Sequence, residues 1–564
     1  MLLPANQVYK KNFSTQQTAQ STLWHSENGG RSSSSMAEPS TDLSLPPLPP
    51  LQILPPQEDD PRTPPPAEPS FPPYHRPPPP AQGAPPPSPT RSLAQARPSL
   101  LPQARLTQNR RRLLFAGCRG VFYREGRRLR QPPRLLSGKL LNYDYSTIGL
   151  SPYGDYWRNL RRFTAMEMFS ARPLADYTAV REEEVLSLVK QLFRERKDRE
   201  WLKVDMRPRL LDLTLNLIMR MIAGKSYFGT DQVSAEGKEF REIMKEFSQL
   251  VGSAGYIGDF IPALWWADFH GLKNKMKSVM RKADGFFQQL VDVHRLKRSE
   301  PSLSPSSSKG VDGTRSSRTT FIDQMLDVQE QDPEFYTNKT IKSLILVMLV
   351  AGADTTATTL EWAMILLLNH PEAMRRACDE IESKVGHDRL LEESDLANLS
   401  YLQNIVSETM RLYPAAPLLL PHESSEDTTI GNFHVPRGTM LLVNAWSLHR
   451  DPKLWEDAGR FMPERFDGGQ ESTEGFKMIP FGVGRRACPG AALGRRAVGL
   501  ALGALLQCFE WRRVGLEEID MTEGNGLTAP PAEPLQALCK PREIMTPFLA
   551  SGEDNFGEET MKKC

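Results

Sequence analysis

Pro480-Phe481-Gly482-Val483-Gly484-Arg485-Arg486-Ala487-Cys488-Pro489-Gly490 is the stretch on which the reading of the whole chain turns. Glycines at 482, 484 and 490 permit a tight loop that brings backbone N–H groups close to one sulfur. The apolar, helix-forming run Ala491 to Leu506 begins immediately afterwards. Cys488 therefore stands at a helix N-terminus and near Arg486, a place that lowers a thiol pKa and favours the thiolate. A lone cysteine beside glycines is more often a small buried hydrophobe. The full pattern Phe-x-x-Gly-x-Arg-x-Cys-x-Gly separates this one from that reading.

The six cysteines (118, 378, 488, 508, 539 and 564) include no CxxC pair. That spacing argues against a zinc site and a disulfide-stapled fold, and suits a reducing compartment in which one cysteine matters. The 70 Lys+Arg against 68 Asp+Glu leave a formal net charge of +2, which gives no reason to expect nucleic acid as a partner. The most apolar run, Leu344 to Ala353, falls short of the roughly 20 residues that span a bilayer and has the spacing of a buried core helix. The N-terminus MLLPANQVYKKNF has no apolar signal region, and the lack of acidic residues before Glu27 resembles a transit peptide only faintly.

About half of the 48 prolines lie in the first hundred residues. Runs such as Pro77 to Pro80 and Pro85 to Pro87 remove backbone donors and fix φ, so residues 1–131 are predicted to be disordered. Three readings of this arm follow. It is a solvated basic tail, a Pro-rich ligand for SH3- or WW-type partners, or a GC-rich exon translated in the wrong frame. The bias towards Pro, Arg, Ala and Ser from Pro46 to Pro133 favours the last, with the frame returning near Pro132 to Leu136. A folded domain is expected over 132–550 and a short tail over 551–564.

From Arg134 the pattern is mostly helical. Val185, Leu186, Val189, Leu192 and Phe193 recur at helical spacing, as do Leu211, Leu215, Ile218 and Ile222. The Ser/Gly-rich stretch 299–320 reads as a loop. A long apolar helix is predicted from about Lys339 to Asn369, closed by His370-Pro371, and another from about Leu399 to Leu412 before Pro414. Strands are expected at Thr429 to Val435 and Thr439 to Ala445, joined by a turn at Pro436-Arg437-Gly438.

With these elements in order, the loop FGVGRRACPG resembles the haem-thiolate loop of the cytochrome P450 family through Phe481, Gly484, Arg486, Cys488 and Gly490. The resemblance implies a P450 fold, mainly α with small β sheets, binding haem b. Cys488 would be the axial iron ligand, with Phe481 and Gly482 in the cofactor-binding loop and Arg486 on a haem propionate.

Other segments fall in the family's order. Ala351-Gly352-Ala353-Asp354-Thr355-Thr356 interrupts the long apolar helix with residues poor for helix stability. In the family this segment opens a groove for dioxygen, with Thr355 ordering the proton-bearing water and Asp354 in the proton relay. Glu408 and Arg411, at i and i+3 on one helix face, resemble the family's Glu-x-x-Arg pair. The resemblance joins them to Arg465 as a buried structural triad. Trp157 and Arg161 resemble a propionate-binding Trp-x-x-x-Arg, and His422 occupies a position where some members place a propionate-contacting histidine.

Leu141-Asn142-Tyr143, Ile257-Gly258-Asp259-Phe260 and Asn444-Ala445-Trp446 resemble the plant A-type branch that includes isoflavone 2′- and 3′-hydroxylases. What this implies is a monooxygenase acting on a small aromatic plant metabolite, a flavonoid or other phenylpropanoid. It would use O2 and electrons from NADPH through cytochrome P450 reductase, docked on basic residues, at the cytosolic face of the endoplasmic reticulum membrane. The family's anchor helix and early strands are not recognisable before Pro132. Two rivals stand beside this reading: a P450-fold enzyme that rearranges peroxides without dioxygen, against which Asp354 and Thr355 argue, and a non-catalytic truncated product led by its Pro-rich arm.

Overall fold

The computed structural model describes residues 128–550, apart from 197–199, 230–232, 253–258, 260, 262–267, 269–270, 300–319, 431–432 and 469–475. The expectations for residues 1–127, the tail 551–564 and nearly all of the loop 299–320 lie outside the described residues. At the N-terminal edge, ordered contacts reach back past Pro132. Leu129 is buried, and Gln131 forms a β-bridge with Glu423.

The chain begins with helices α1 (Leu136–Leu141), α2 (Asp155–Thr164), α3 (Ala171–Asp176) and α4 (Thr178–Arg196), then strand β1 (Leu202–Asp205). Helices α5 (Met206–Ala223), α6 (Ala235–Gly252), α7 (Leu272–Ser299) and α8 (Phe321–Gln331) lead to α9 (Asn338–Asn369), α10 (Pro371–Lys384) and α11 (Ser400–Leu412). Four short strands follow: β2 (His422–Glu423), β3 (Thr428–Ile430), β4 (Phe433–Val435) and β5 (Met440–Leu441). Helices α12 (Ala445–His449) and α13 (Ala491–Cys508), strands β6 (Phe509–Arg513) and β7 (Gln536–Pro541), and α14 (Thr546–Ala550) complete it.

Helix α9 organises the molecule. The Thr337 hydroxyl caps its first turn by accepting the Thr340 N–H. At its end His370 leaves helical geometry because Pro371 follows, and that proline opens α10 at a position needing no N–H. Among the described residues α9 alone is long and apolar enough to cross a bilayer, yet it is buried on most sides within the fold. Each fully buried leucine or isoleucine along it, such as Leu344, Leu349, Leu360 and Leu367, stabilises the fold by roughly 1.5–3 kcal/mol.

Two apolar clusters meet on this helix. Residues up to Ala353 pack into a core with α5, α6, α7 and α8. Residues from Ala357 onward pack into a second core with α4, α10, α11, α13, β6 and β7. The boundary between the cores falls at Asp354, Thr355 and Thr356. Gly352 has its own structural reason: a Cβ there would lie 3.0 Å from Ile218 of α5, so its absence lets the two helices approach.

The strands differ in part from the sequence expectation. Residues 428–435 fold back on themselves, Thr428 pairing with Val435, while Met440 and Leu441 pair with Glu423 and His422. The expected first strand contains Gly431 and Asn432, residue types that favour turns over strands. The expected second strand stops early because the Asn444 side chain accepts the Ser447 N–H and starts α12 at Ala445. The main sheet has the order β1-β7-β6, all antiparallel, with Cys539 of β7 opposite both Leu202 and Trp511.

Candidate active site

The loop before α13 is closed by its own backbone. The Cys488 N–H donates to the Phe481 carbonyl at 2.9 Å, and the Gly482 N–H to the Ile479 carbonyl at 3.0 Å. Gly482 and Gly484 take φ values of 63° and 77°, the left-handed region that the turn requires. At Gly490 a Cβ would stand 4.0 Å from the Cys488 sulfur and 3.6 Å from Phe169, which ends a π-helical turn after α2. Cys488 keeps an exposed face although protein crowds it on its other sides. That crowding decides its titration. Burial pushes the thiol up, opposed by the Gly490 N–H and by Arg161. The sequence expectation was the reverse, and the cation acting on the sulfur is Arg161 and not Arg486. A metal ion bound at this sulfur would displace the thiol proton.

Beside the loop lies a group of cations. Arg161 donates to the Ala487 carbonyl at 2.6 Å. Arg486 donates to the carbonyls of Arg130 (3.0 Å), Ser151 (2.7 Å) and Ile148 (3.4 Å) and lies over the Trp157 ring at 4.4 Å. Burial, with Arg161 and Arg130 nearby, pushes Arg486 down to about 10, which still leaves it charged at neutral pH. The Trp157 indole N–H is engaged by the Ile148 carbonyl, so this residue contributes its face and not its donor. His422 bonds the Leu129 carbonyl through Nδ1 at 2.8 Å, and burial holds its pKa below the usual value.

Helix α9 is uncovered in the middle. Between positions 350 and 356 only Ala353 is buried, and Ala351 is exposed. The Thr355 hydroxyl donates to the Ala351 carbonyl at 2.6 Å, which leaves its oxygen available as an acceptor. Asp354 accepts at Oδ2 from the hydroxyl of Thr528, 2.6 Å away, on the loop before β7. Helix α13, which begins three residues after Cys488, packs against α9.

Glu408, Arg411 and Arg465 come together as expected. Arg411 Nε and Nη2 donate to the two Glu408 oxygens at 2.6 and 2.8 Å, with both side chains fully buried. Arg465 Nε reaches Glu408 at 3.3 Å, and the Met462 N–H donates to it at 2.9 Å. A further residue links this cluster to the cysteine loop. The His449 carbonyl accepts from Arg411 at 2.7 Å, and its Nε2 accepts the Ile479 N–H at 2.8 Å, one turn before Gly482.

The family model described as Cytochrome P450 matches residues 133–536. The chain belongs to the cytochrome P450 family. Cytochrome P450 81Q32 of Catharanthus roseus is 48% identical over 73% of this chain and 78% of its own. The isoflavone 3′-hydroxylase of Medicago truncatula is 45% identical over 72% and 79%. The isoflavone 2′-hydroxylase of Glycyrrhiza echinata is 42% identical over 73% and 79%. A zebrafish cytochrome P450 solved with progesterone superposes with a TM-score of 0.62 at 26% identity, covering 76% of this chain and 92% of that one. This P450 is thus a haem-dependent monooxygenase of mostly helical fold, in a family that draws its electrons from NADPH through a reductase.

The residues present fit haem. Arg130, Arg161 and Arg486 form no ion pair with a carboxylate among the described residues, and the buried Nε of Arg130 has no hydrogen-bond partner there. A group bearing two carboxylates, as haem does, would supply the missing charge. Three residues of this region escaped the sequence reading. Arg130 was assigned to the disordered arm, and His449 and Thr528 sit in no recognised motif. No local signal marked either His449 or Thr528.

Proposed function

We propose that this P450 hydroxylates an aromatic plant secondary metabolite, an isoflavonoid or related phenylpropanoid. It would take one atom from O2, with electrons from NADPH delivered by cytochrome P450 reductase at the cytosolic face of the endoplasmic reticulum membrane. The observation that carries the reaction type is the uncovered turn of α9, where Asp354 and Thr355 lie between two apolar cores. The substrate class rests on the likeness to the isoflavone hydroxylases.

Cys488 would hold haem, which would supply the iron redox chemistry for dioxygen, tuned by the thiolate ligand. The rest is the work of side chains. The Gly490 N–H and Arg161 moderate the charge on the Cys488 sulfur. Arg130, Arg161 and Arg486 would hold the propionates, with His422 near Arg486, whose guanidinium lies over the Trp157 ring. Phe481 and Gly482 shape the loop around the sulfur. Thr355, with its own proton engaged by Ala351, accepts a hydrogen bond from water and holds it in place. Asp354 carries protons to that water. Glu408, Arg411 and Arg465 hold the protein beneath the loop.

The test is expression of the full chain with a plant reductase in microsomes, followed by the reduced, CO-bound spectrum. Incubation with a 4′-methoxyisoflavone, a furofuran lignan and an indole under ¹⁸O2 comes next. The expected result is a red-shifted thiolate Soret band and a product carrying one labelled oxygen. Turnover of a lipid peroxide without O2, or absence of the thiolate band, overturns the proposal.

A further inference from the structure

The segment between β6 and β7 runs along α9 and is fastened to it at several points. Asn369 exchanges two hydrogen bonds with the Ile519 backbone, both at 2.9 Å. The Trp362 indole donates to the Ala529 carbonyl at 2.8 Å, and Glu361 accepts the Leu535 N–H at 2.9 Å. Arg207, itself paired with Glu361, donates to the Pro531 carbonyl at 2.6 Å. These contacts bring the loop down at one place. Leu527 is exposed, Thr528 half-buried and Ala529 buried. There the Thr528 hydroxyl meets Asp354 Oδ2 at 2.6 Å.

We infer that Thr528 is a positioning residue for Asp354, fixing its carboxylate so that protons pass through the other oxygen, Oδ1. The inference rests on the proton-carrying role proposed above for Asp354. Its geometry is that of a charge-assisted O–H···O⁻ bond, which falls near 2.5–2.7 Å. Thr528 is the one hydrogen-bond partner of the Asp354 carboxylate among the described residues. Without it, the carboxylate turns freely about its own side-chain bonds. A proton carrier has to stay within roughly 2.6–3.2 Å of the group it serves, so an unfixed carboxylate spends much of its time out of reach. With Oδ2 engaged, each proton that Oδ1 gives to the water at Thr355 is replaced by one from solvent, and Asp354 ends as it began. The other fastenings do not involve the Thr528 side chain. Removing its hydroxyl therefore leaves the loop seated.

The experiment uses the full chain with reductase and 7-ethoxycoumarin as aromatic probe, comparing Thr528→Val, Thr528→Ser, Asp354→Asn and the double variant Asp354→Asn/Thr528→Val. Thr528→Val should lower product per NADPH by roughly tenfold, the scale of losing a hydrogen bond to a charged group, with the electrons recovered as hydrogen peroxide. Peroxide per NADPH is measurable whether or not the probe is turned over. KM, haem content and thermal midpoint should stay near wild type, and Thr528→Ser should restore coupling. The valine change should add nothing in the Asp354→Asn background. A second readout needs no turnover: the Asp354 carboxylate stretch, taken as the infrared difference between wild type and Asp354→Asn. It should shift in Thr528→Val and return in Thr528→Ser. If Asp354→Asn uncouples while Thr528→Val does not, if the two effects add, or if the carboxylate band stays in place, the inference is overturned. If Asp354→Asn itself leaves coupling intact, the proton-carrying reading fails first, and this inference with it.

Discussion

Replacing Glu408 with glutamine changes one atom's chemistry and almost no volume, so its cost can be worked from the hydrogen bonds alone. Oε1 accepts from Arg411 Nη2, the Met462 N–H and Arg465 Nε; Oε2 accepts from Arg411 Nε at 2.6 Å. A glutamine that keeps its oxygen at the first position must aim its NH2 at Arg411 Nε–H, donor against donor. The opposite flip is worse, because the NH2 then faces three donors. Either way Arg411, fully buried, and Arg465, nearly so, lose their shared counter-charge. Breaking a buried pair by removing one partner costs about 3–5 kcal/mol, against a total stability on the order of 5–15 kcal/mol. Denaturant unfolding of Glu408→Gln, followed by far-UV circular dichroism and by the thiolate-type CO band, measures it. The CO band should disappear at a lower denaturant concentration than the helix signal, because the cluster reaches the cysteine loop through His449 and Ile479. A destabilisation below about 1 kcal/mol, with the two signals lost together, would refute the reasoning.

Burial pushes His449 down to about 3. Below an unfolded value near 6.5 the unfolded chain therefore takes up a proton that the folded one does not. The stability this neutral imidazole contributes is present above that value and lost as pH falls towards 3. The loss is about 1.4 kcal/mol per pH unit, and His449→Phe should show a shallower acid dependence in the same unfolding assay. Cys488→Ser should abolish the thiolate CO band, because a neutral hydroxyl cannot replace a thiolate's electron donation; a surviving band would displace Cys488 as ligand. Thr355→Ala should keep haem but divert NADPH electrons to hydrogen peroxide, with product formation reduced by an amount on the order of 10²–10⁴; an unchanged product-to-NADPH ratio counts against the water-holding role. Arg130→Leu should speed haem transfer to apomyoglobin while leaving far-UV circular dichroism unchanged, and an unaltered transfer rate would remove Arg130 from the propionate site.

Much of this was legible in the residues. Helix α9 was readable because its apolar run is long and ends at His370-Pro371, and the Glu408-Arg411 pair because i, i+3 spacing needs no tertiary knowledge. The cysteine loop was readable in its turn chemistry but misjudged in its electrostatics. Helix N-terminus and arginine were visible in the sequence, whereas the burial that raises the Cys488 thiol arises only when the folded chain closes around the loop. The uncovered middle of α9 was visible as a change in composition, but its cause, the meeting of two cores, was not. Thr528 lies 174 residues from Asp354, and no local pattern announces such a contact.

The pairing of β1 with β7 also sets a schedule for synthesis. Asp205 leaves the ribosome roughly 330 residues before its partner Gln536, an interval of about 16–70 seconds at the usual elongation rates. Throughout that time a strand of alternating buried and exposed residues has no ladder to join, and its unpaired edge is open to wrong partners. The segment that fastens α9 emerges in the same late window. A nascent chain halted before β7 would therefore be a client for chaperones and not a slower enzyme, and premature stop codons even close to the C-terminus should be expected to cost the cell folded protein before they cost it turnover.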